Sequence, residues 1–73
     1  MNYNYLKSYI IRAGYSLEDY AKMLGISRVA LSKKLNNQTF FSQEQMVKTK
    51  EFLKLTPEEF TNAFSIFEEN VEK

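Results

Sequence analysis

Residues 16–37 read SLEDYAKMLGISRVALSKKLNN and contain the start and stop signals of two short helices. Ser16 is a preferred N-cap, and Asp19 stands three residues later, where its side chain can return to the Ser16 N–H in a capping box. Gly25 ends this helix, because glycine adopts the left-handed backbone conformation without the opposition of a β-carbon. The stretch therefore predicts a helix over 17–24 and a turn at Gly25.

A second helix follows this turn at once. Ser27 is its predicted N-cap, so we expect the helix over 28–36. Ile26 provides an apolar side chain for the turn, and Ala21 is the small residue where the two helices would cross. A helix, a short turn containing glycine and another helix form the helix-turn-helix unit. Most sequences with this pattern place the second helix in a DNA groove, so the pattern predicts DNA binding.

The rest of the sequence predicts three further helices and no convincing strand. Apolar residues at helical spacing predict a first helix that runs to about Arg12 and ends at Gly14. A capping box of serine and glutamine predicts a helix over 43–54. In residues 56–59, a threonine cap, a proline at the first helical position and two acids predict a C-terminal helix over 57–69. We therefore expect one all-α domain of five helices that covers residues 1–73.

The composition excludes several functional classes. The chain has 73 residues, no Cys and no His, so disulfides and the usual metal ligands are absent. There is no glycine-rich phosphate loop, and most acids stand at helix starts, where capping explains them. We expect no enzyme activity, no catalytic residue, no cofactor and no metal. No apolar run approaches the roughly 20 residues that span a bilayer, so we expect a cytoplasmic protein without a membrane partner.

The formal net charge of +1 hides an asymmetry along the chain. Residues 1–54 carry nine Lys/Arg and four Asp/Glu, whereas residues 55–73 carry one Lys and five Glu. A basic body with an acidic tail is compatible with a nucleic-acid surface on one side. The alternative is ordinary solvated charge.

The second helix of the unit has an inward and an outward face. Leu31 and Leu35 lie four residues apart and define the inward face, so the outward face is centred on Lys33. The outward residues offer donors for guanine or phosphate and an apolar contact for a thymine methyl. The candidate base contacts are Arg28, Val29, Ser32 and Lys33. The alternative for Val29 is a core position, and for Lys33 it is solvated helix surface.

Phosphate contacts are expected from the cap and from the polar loop after the second helix. The candidates, acting through side chains or backbone N–H groups, are Ser27, Asn36, Asn37, Gln38 and Thr39. Ser27 has the alternative of serving only as a cap. Lys34 is interpreted as solvated helix surface.

Residues 16–37 resemble the DNA-binding unit of the small phage repressor and Cro proteins, the xenobiotic-response-element family of helix-turn-helix regulators. The residues that carry the resemblance are Ala21, Leu24, Gly25, Ile26, Ser27, Leu31 and the Lys-Lys-Leu-Asn ending. The resemblance extends over the whole chain and includes the short Cro-like proteins of Gram-positive phages and prophages. It implies a five-helix, lambda-repressor-like fold and a homodimer that binds double-stranded operator DNA as a transcriptional regulator.

Three positions depart from the family pattern. Leu17 stands where the family often has a Gln that touches phosphate. Lys34 stands where an aliphatic residue is common. Asn37 replaces the usual Gly after the recognition helix, and asparagine can adopt the same backbone conformation.

The predicted C-terminal helix carries an apolar stripe at spacings of three and four residues. This stripe is more apolar surface than a small helical body needs, so we expect a dimer interface. The interface candidates are Phe64, Ile66 and Phe67. The alternative is that the phenylalanines close the monomer core, and Phe60 is the strongest candidate for that role.

A second function on the same fold is a protein-binding antirepressor or co-repressor that docks on another phage regulator. The modest basicity and the aromatic tail favour it. Salt dependence separates the two functions, because phosphate neutralisation makes affinity fall steeply with salt.

Overall fold

The computed structural model describes residues 3–64, and within this range the chain forms five α-helices and no strand. The helices are α1 (Asn4–Arg12), α2 (Leu17–Leu24), α3 (Arg28–Leu35), α4 (Gln43–Leu53) and α5 (Pro57–Phe64). The all-α, five-helix fold is confirmed. α3 and α4 each end one residue before the predicted boundary. The predicted extension of the last helix to residue 69, with Ile66 and Phe67, lies outside the described residues.

A single apolar cluster joins the helices. Its buried members are Tyr3, Leu6, Ile10, Tyr20, Ala21, Leu24, Leu31, Leu35, Phe41, Leu53, Leu55, Ala63 and Phe64. α2 contacts α1, α3 and α4, whereas α1 also packs against α5. The helix before the turn is therefore central to the body, and α3 lies at its margin.

A buried hydrogen-bond chain fastens α2 to α4. The Tyr20 hydroxyl is 2.6 Å from Thr49 Oγ1, and the Thr49 hydroxyl donates to the Gln45 carbonyl at 2.8 Å. Because the single Thr49 hydroxyl proton is used on that carbonyl, Tyr20 is the donor to Thr49. Both side chains are fully buried, and burial raises the pKa of Tyr20 to about 12. These bonds satisfy the polar atoms that the core encloses.

Aromatic rings close the core between α1 and α5. Phe41 packs edge-to-face on Tyr3 and on Phe64, with ring centroids 5.4 and 5.3 Å apart, and Phe60 packs on Phe64 at 5.5 Å. Only 3% of Phe64 is exposed. Phe64 therefore belongs to the core of its own chain, which corrects its predicted place in a dimer interface. The stripe turns inward here because α5 packs against α1 and covers this ring.

An ion pair joins the C-terminal end of α1 to the start of α5. Arg12 Nη1 donates to Glu59 Oε2 at 2.9 Å, and the guanidinium lies 4.8 Å from the centre of the Tyr9 ring. The hydrogen bond from Arg12 and the one from the Thr56 N–H lower the pKa of Glu59. Both partners of the pair are in contact with solvent, so its contribution to stability is small.

Candidate nucleic-acid interface

The turn between α2 and α3 has the predicted left-handed glycine. Gly25 has a φ of 75°. Its N–H donates to the Lys22 carbonyl at 3.0 Å, and the Ile26 N–H donates to the Ala21 carbonyl at 3.0 Å. Ala21 is buried, Ile26 packs against the core, and α2 is in contact with α3. The turn thus fixes the direction in which α3 leaves α2.

The two helices of the unit are capped differently. At α2, Ser16 Oγ accepts from the Asp19 N–H at 3.1 Å, and Asp19 Oδ2 accepts from the Ser16 N–H at 3.0 Å. The bond from the Ser16 N–H lowers the pKa of Asp19. At α3, Ser27 Oγ accepts from the Ala30 N–H at 3.0 Å. The Ala30 side chain has no acceptor for the Ser27 N–H, so the reciprocal bond is missing.

The N-terminal end of α3 also lacks acidic residues. Helices α4 and α5 start with reciprocal bonds like those of α2, made by Ser42 with Gln45 and by Thr56 with Glu59. The first turn of α3 contains no acid. The partial positive charge at this helix end is therefore not neutralised locally, and helix ends of that kind favour anions such as phosphate.

The outward face of α3 matches the sequence-based assignment. Leu31 and Leu35 are buried, whereas 66% of Val29 is exposed, which excludes the core alternative for this residue. Arg28 and Lys33 are also exposed, and neither has an ion-pair partner among residues 3–64. An exposed β-branched side chain between two free cations is suited to a partner that has both apolar and anionic groups.

A shallow depression of about 280 Å³ joins α3 to the loop that follows it. Its lining residues are Ser27, Val29, Ala30, Lys33, Lys34 and Thr39. The structure thus brings together two of the predicted base contacts and two of the predicted phosphate contacts. Arg28, Ser32, Asn36, Asn37 and Gln38 lie outside this depression.

The loop after α3, residues 36–39, turns back on the helix. Asn37 has a φ of 65°, which confirms that asparagine takes the left-handed conformation here. The N–H groups of Asn36 and Asn37 donate to carbonyls in the last turn of α3 at 3.0 and 3.1 Å. Those of Gln38 and Thr39 donate to the Lys33 carbonyl at 2.8 and 3.4 Å. All four N–H groups are therefore engaged, which leaves only side chains of this loop for phosphate and corrects the expectation that its backbone could contribute.

A model of the Cro/C1-type helix-turn-helix family matches residues 6–60. The chain belongs to this family. Its members are DNA-binding transcription regulators, and the family is not enzymatic. No curated protein and no solved structure shows a significant match to the chain.

Lys34 of this helix-turn-helix unit was predicted to be solvated surface, but in the structure it has partners within the chain. Its ammonium group donates to the Phe40 carbonyl at 2.8 Å and lies 5.7 Å from the centre of the Phe41 ring. The side chain is half-buried because Lys34 follows Leu31 by three residues and so lies beside the inward face. Lys34 connects α3 to the end of the loop that follows it.

Sequence reasoning missed two residues of the interface. Ala30 was not considered, although its lack of an acceptor distinguishes this cap from the other three. Lys34 was identified as a departure from the family pattern, and that departure was the available signal. A cation at a position beside the core needs an acceptor nearby, and the Phe40 carbonyl provides it.

Within residues 3–64, no helix is long and apolar enough to cross a membrane. No group of three acidic side chains in this range converges as metal ligands would.

Proposed function

We propose that this protein is a sequence-specific, Cro-like repressor that binds operator DNA in the cytoplasm with α3 in the major groove. The observation that carries the proposal is the outward face of α3. Arg28 and Val29 are exposed in the first turn of α3, which has no acid, and Lys33 is exposed in its last turn. This arrangement offers cations and one apolar side chain to a polyanion whose bases display both acceptors and methyl groups.

Each outward residue has a chemical counterpart in the groove. Arg28 can donate two hydrogen bonds to guanine O6 and N7, and Val29 can cover a thymine methyl. Lys33 lies one turn beyond Val29 and offers a single cationic donor, while Ser32 flanks the same face as donor or acceptor. An α-helix with its side chains is about 10–12 Å in diameter, and the major groove is about 12 Å wide, so the groove admits α3.

Phosphate contacts frame this helix in the proposal. Ser27 and the helix N-terminus lie at one end of α3, and the loop of residues 36–39 lies at the other. Because the loop N–H groups are engaged, Asn36, Asn37, Gln38 and Thr39 contribute through their side chains. Contacts of this type fix the register of the protein on the duplex and carry no sequence information of their own.

Binding as a dimer follows from the small size of the reading surface. Four candidate base contacts on one short helix specify only a few base pairs, and each good contact contributes about 1–3 kcal/mol of discrimination. Two copies on a palindromic site double that information, with recognition helices about 34 Å apart. Ile66 and Phe67 remain the proposed interface residues. Sedimentation at micromolar protein, with and without a palindromic duplex, tests this: two chains per duplex are expected, and one chain per duplex at saturation contradicts it.

Selection of DNA from a random duplex library tests the proposed function. The purified protein should enrich one short motif, with an inverted repeat if it binds as a dimer. Affinity for the enriched duplex should then be measured at several salt concentrations. Each phosphate neutralised by a Lys or Arg side chain contributes about −0.9 to the slope of log K against log salt, so a negative slope is expected.

The same experiment separates the protein-binding alternative. Phe40 is 81% exposed, and this is the observation that favours an antirepressor or co-repressor. If no motif is enriched and binding to random duplex is as weak as that of an unrelated basic protein, the DNA-binding proposal is wrong. A protein interface built on an exposed phenylalanine would show little dependence on salt.

A further inference from the structure

Lys34 holds Phe40, the residue after the loop of residues 36–39, against α3. At the start of the loop, the N–H groups of Gln38 and Thr39 return to the Lys33 carbonyl. At its end, the Lys34 ammonium donates to the Phe40 carbonyl at 2.8 Å. The loop is thus attached to the last turn of α3 through its backbone on one side and through one side chain on the other.

This attachment reaches the core. The residue after Phe40 is Phe41, which is buried and packs edge-to-face on Tyr3 and Phe64. The Lys34 ammonium lies 5.7 Å from the centre of the Phe41 ring, within the range of a cation–π interaction. Hydrogen bonds from a charged donor are about twice as strong as neutral ones. Lys34 therefore has two partners in the chain and is placed differently from the exposed Arg28 and Lys33.

We propose that Lys34 is a positioning residue that orders the loop of residues 36–39 for DNA binding. This proposal rests on the proposed function, because an ordered loop matters for DNA binding only if its side chains contact phosphate. Thr39 lines the same depression as Lys33 and Lys34, and it reaches phosphate only through its hydroxyl because its N–H is engaged. A side-chain contact depends on the position of the whole loop. Lys34 sets that position.

Two substitutions separate positioning from direct phosphate binding. Lys34→Met keeps an unbranched side chain that is one atom shorter and removes the donor, and Lys34→Arg keeps a cationic donor. Lys34→Met should weaken binding to the selected duplex about 3- to 10-fold, which is the lower part of the range of coupling between residues in contact. Its salt slope should equal that of the wild type, because no phosphate contact of Lys34 itself is lost. Lys34→Arg should restore most of the affinity.

A double-mutant cycle sharpens the same test. Thr39→Val should weaken binding in the wild-type protein and should have a smaller effect in the Lys34→Met background, because the displaced loop no longer places residue 39 on phosphate. If the effects of the two substitutions are independent, the proposal is overturned. It is also overturned if the salt slope of Lys34→Met is shallower by about 0.9, because that change would show that Lys34 binds phosphate directly.

Amide hydrogen exchange tests the loop without DNA. The Gln38 N–H should exchange several-fold faster in Lys34→Met than in the wild type, whereas exchange at Tyr20, in the centre of α2, should not change. Equal exchange at Gln38 in both proteins would overturn the proposal even if the chain selected no DNA. If the wild type selects no DNA but Gln38 exchanges faster in Lys34→Met, the proposed function is rejected and the ordering role of Lys34 is retained.

Discussion

The two helices of the helix-turn-helix unit have the same length and the same type of N-cap, but their side chains have different partners. In α2, Asp19 returns to the Ser16 N–H, and Tyr20, Ala21 and Leu24 are buried. In α3, no acid follows the Ser27 cap, and only Leu31 and Leu35 are buried. α2 therefore buries one more side chain than α3, and the exposed residues of α3 include two cations and the apolar Val29.

The difference separates a helix that is packed on several sides from one that is packed on one side. α2 contacts three other helices, so its sequence is constrained by packing on several sides. Two leucines anchor α3 against α2, and that anchoring leaves the opposite face free to carry polar and exposed apolar residues. The predictions below test whether the burial and capping differences between the helices have the expected energetic consequences.

The largest expected effect compares the two faces of α3. Leu31 is fully buried, so Leu31→Ala should lower the free energy of unfolding by about 2–5 kcal/mol through lost burial and a cavity. Val29 lies two residues earlier and is 66% exposed, so Val29→Ala should change stability by no more than about 0.5 kcal/mol. Urea unfolding of both variants measures these values. Similar losses of stability in both would contradict the assignment of inward and outward faces.

A smaller effect is expected at the turn that joins the helices. Gly25 has a φ of 75°, and a β-carbon built there would meet no atom within 4 Å. Gly25→Val should therefore cost only the backbone strain, about 1–2 kcal/mol. Gly25→Asn is the matched control and should cost less, because asparagine tolerates this conformation. Thermal unfolding measures both, and an unchanged midpoint in Gly25→Val would contradict the left-handed turn.

The smallest effect concerns pH and the capping carboxylates. The pKa values of Asp19 and Glu59 are lowered from ordinary values of 3.8 and 4.5, so ionisation favours the folded state. This contribution is complete above those ordinary values and is lost as the pH falls through the lower pKa of the folded state. The box at α4 uses the neutral Gln45 and should not titrate.

Amide chemical shifts followed during an acid titration check this prediction. The Ser16 N–H should shift with a midpoint below 3.8 as Asp19 is protonated, and the Ser42 N–H, which donates to Gln45, should remain constant. Asp19→Asn should remove the Ser16 transition. A midpoint at or above 3.8 would show that the bond between Ser16 and Asp19 does not stabilise the charged carboxylate.

Much of the fold follows from local sequence signals. The caps at Ser16, Ser27 and Ser42, the left-handed Gly25 and the threonine–proline start of α5 are set by the chemistry of a few neighbouring residues. The outward position of Val29 also follows from the helical period once Leu31 and Leu35 are taken as inward. These features need no knowledge of distant contacts.

The features that sequence reasoning missed depend on packing between distant segments. Phe64 appears on an apolar stripe, but its burial depends on the approach of α1 and of Phe41. Lys34 appears solvated until the loop brings the Phe40 carbonyl to 2.8 Å from its ammonium group. The engagement of the loop N–H groups likewise depends on how tightly the chain turns after α3. Helical periodicity alone does not give these distances.

The central claim is that the outward face of α3 reads DNA sequence, and the affinities of three variants for matched duplexes test it most directly. Arg28→Ala and Lys33→Ala remove candidate contacts, and Lys7→Ala removes an exposed lysine from α1 as a control. Each protein is measured on the selected duplex and on a scrambled duplex of the same composition at one salt concentration.

Arg28→Ala and Lys33→Ala should each weaken binding to the selected duplex by about 1–3 kcal/mol and reduce its preference over the scrambled duplex, with melting temperatures close to that of the wild type. Lys7→Ala should change neither the affinity nor the preference by a comparable amount. If both α3 variants keep the wild-type preference while remaining folded, α3 is not the helix that reads sequence, and the account is contradicted.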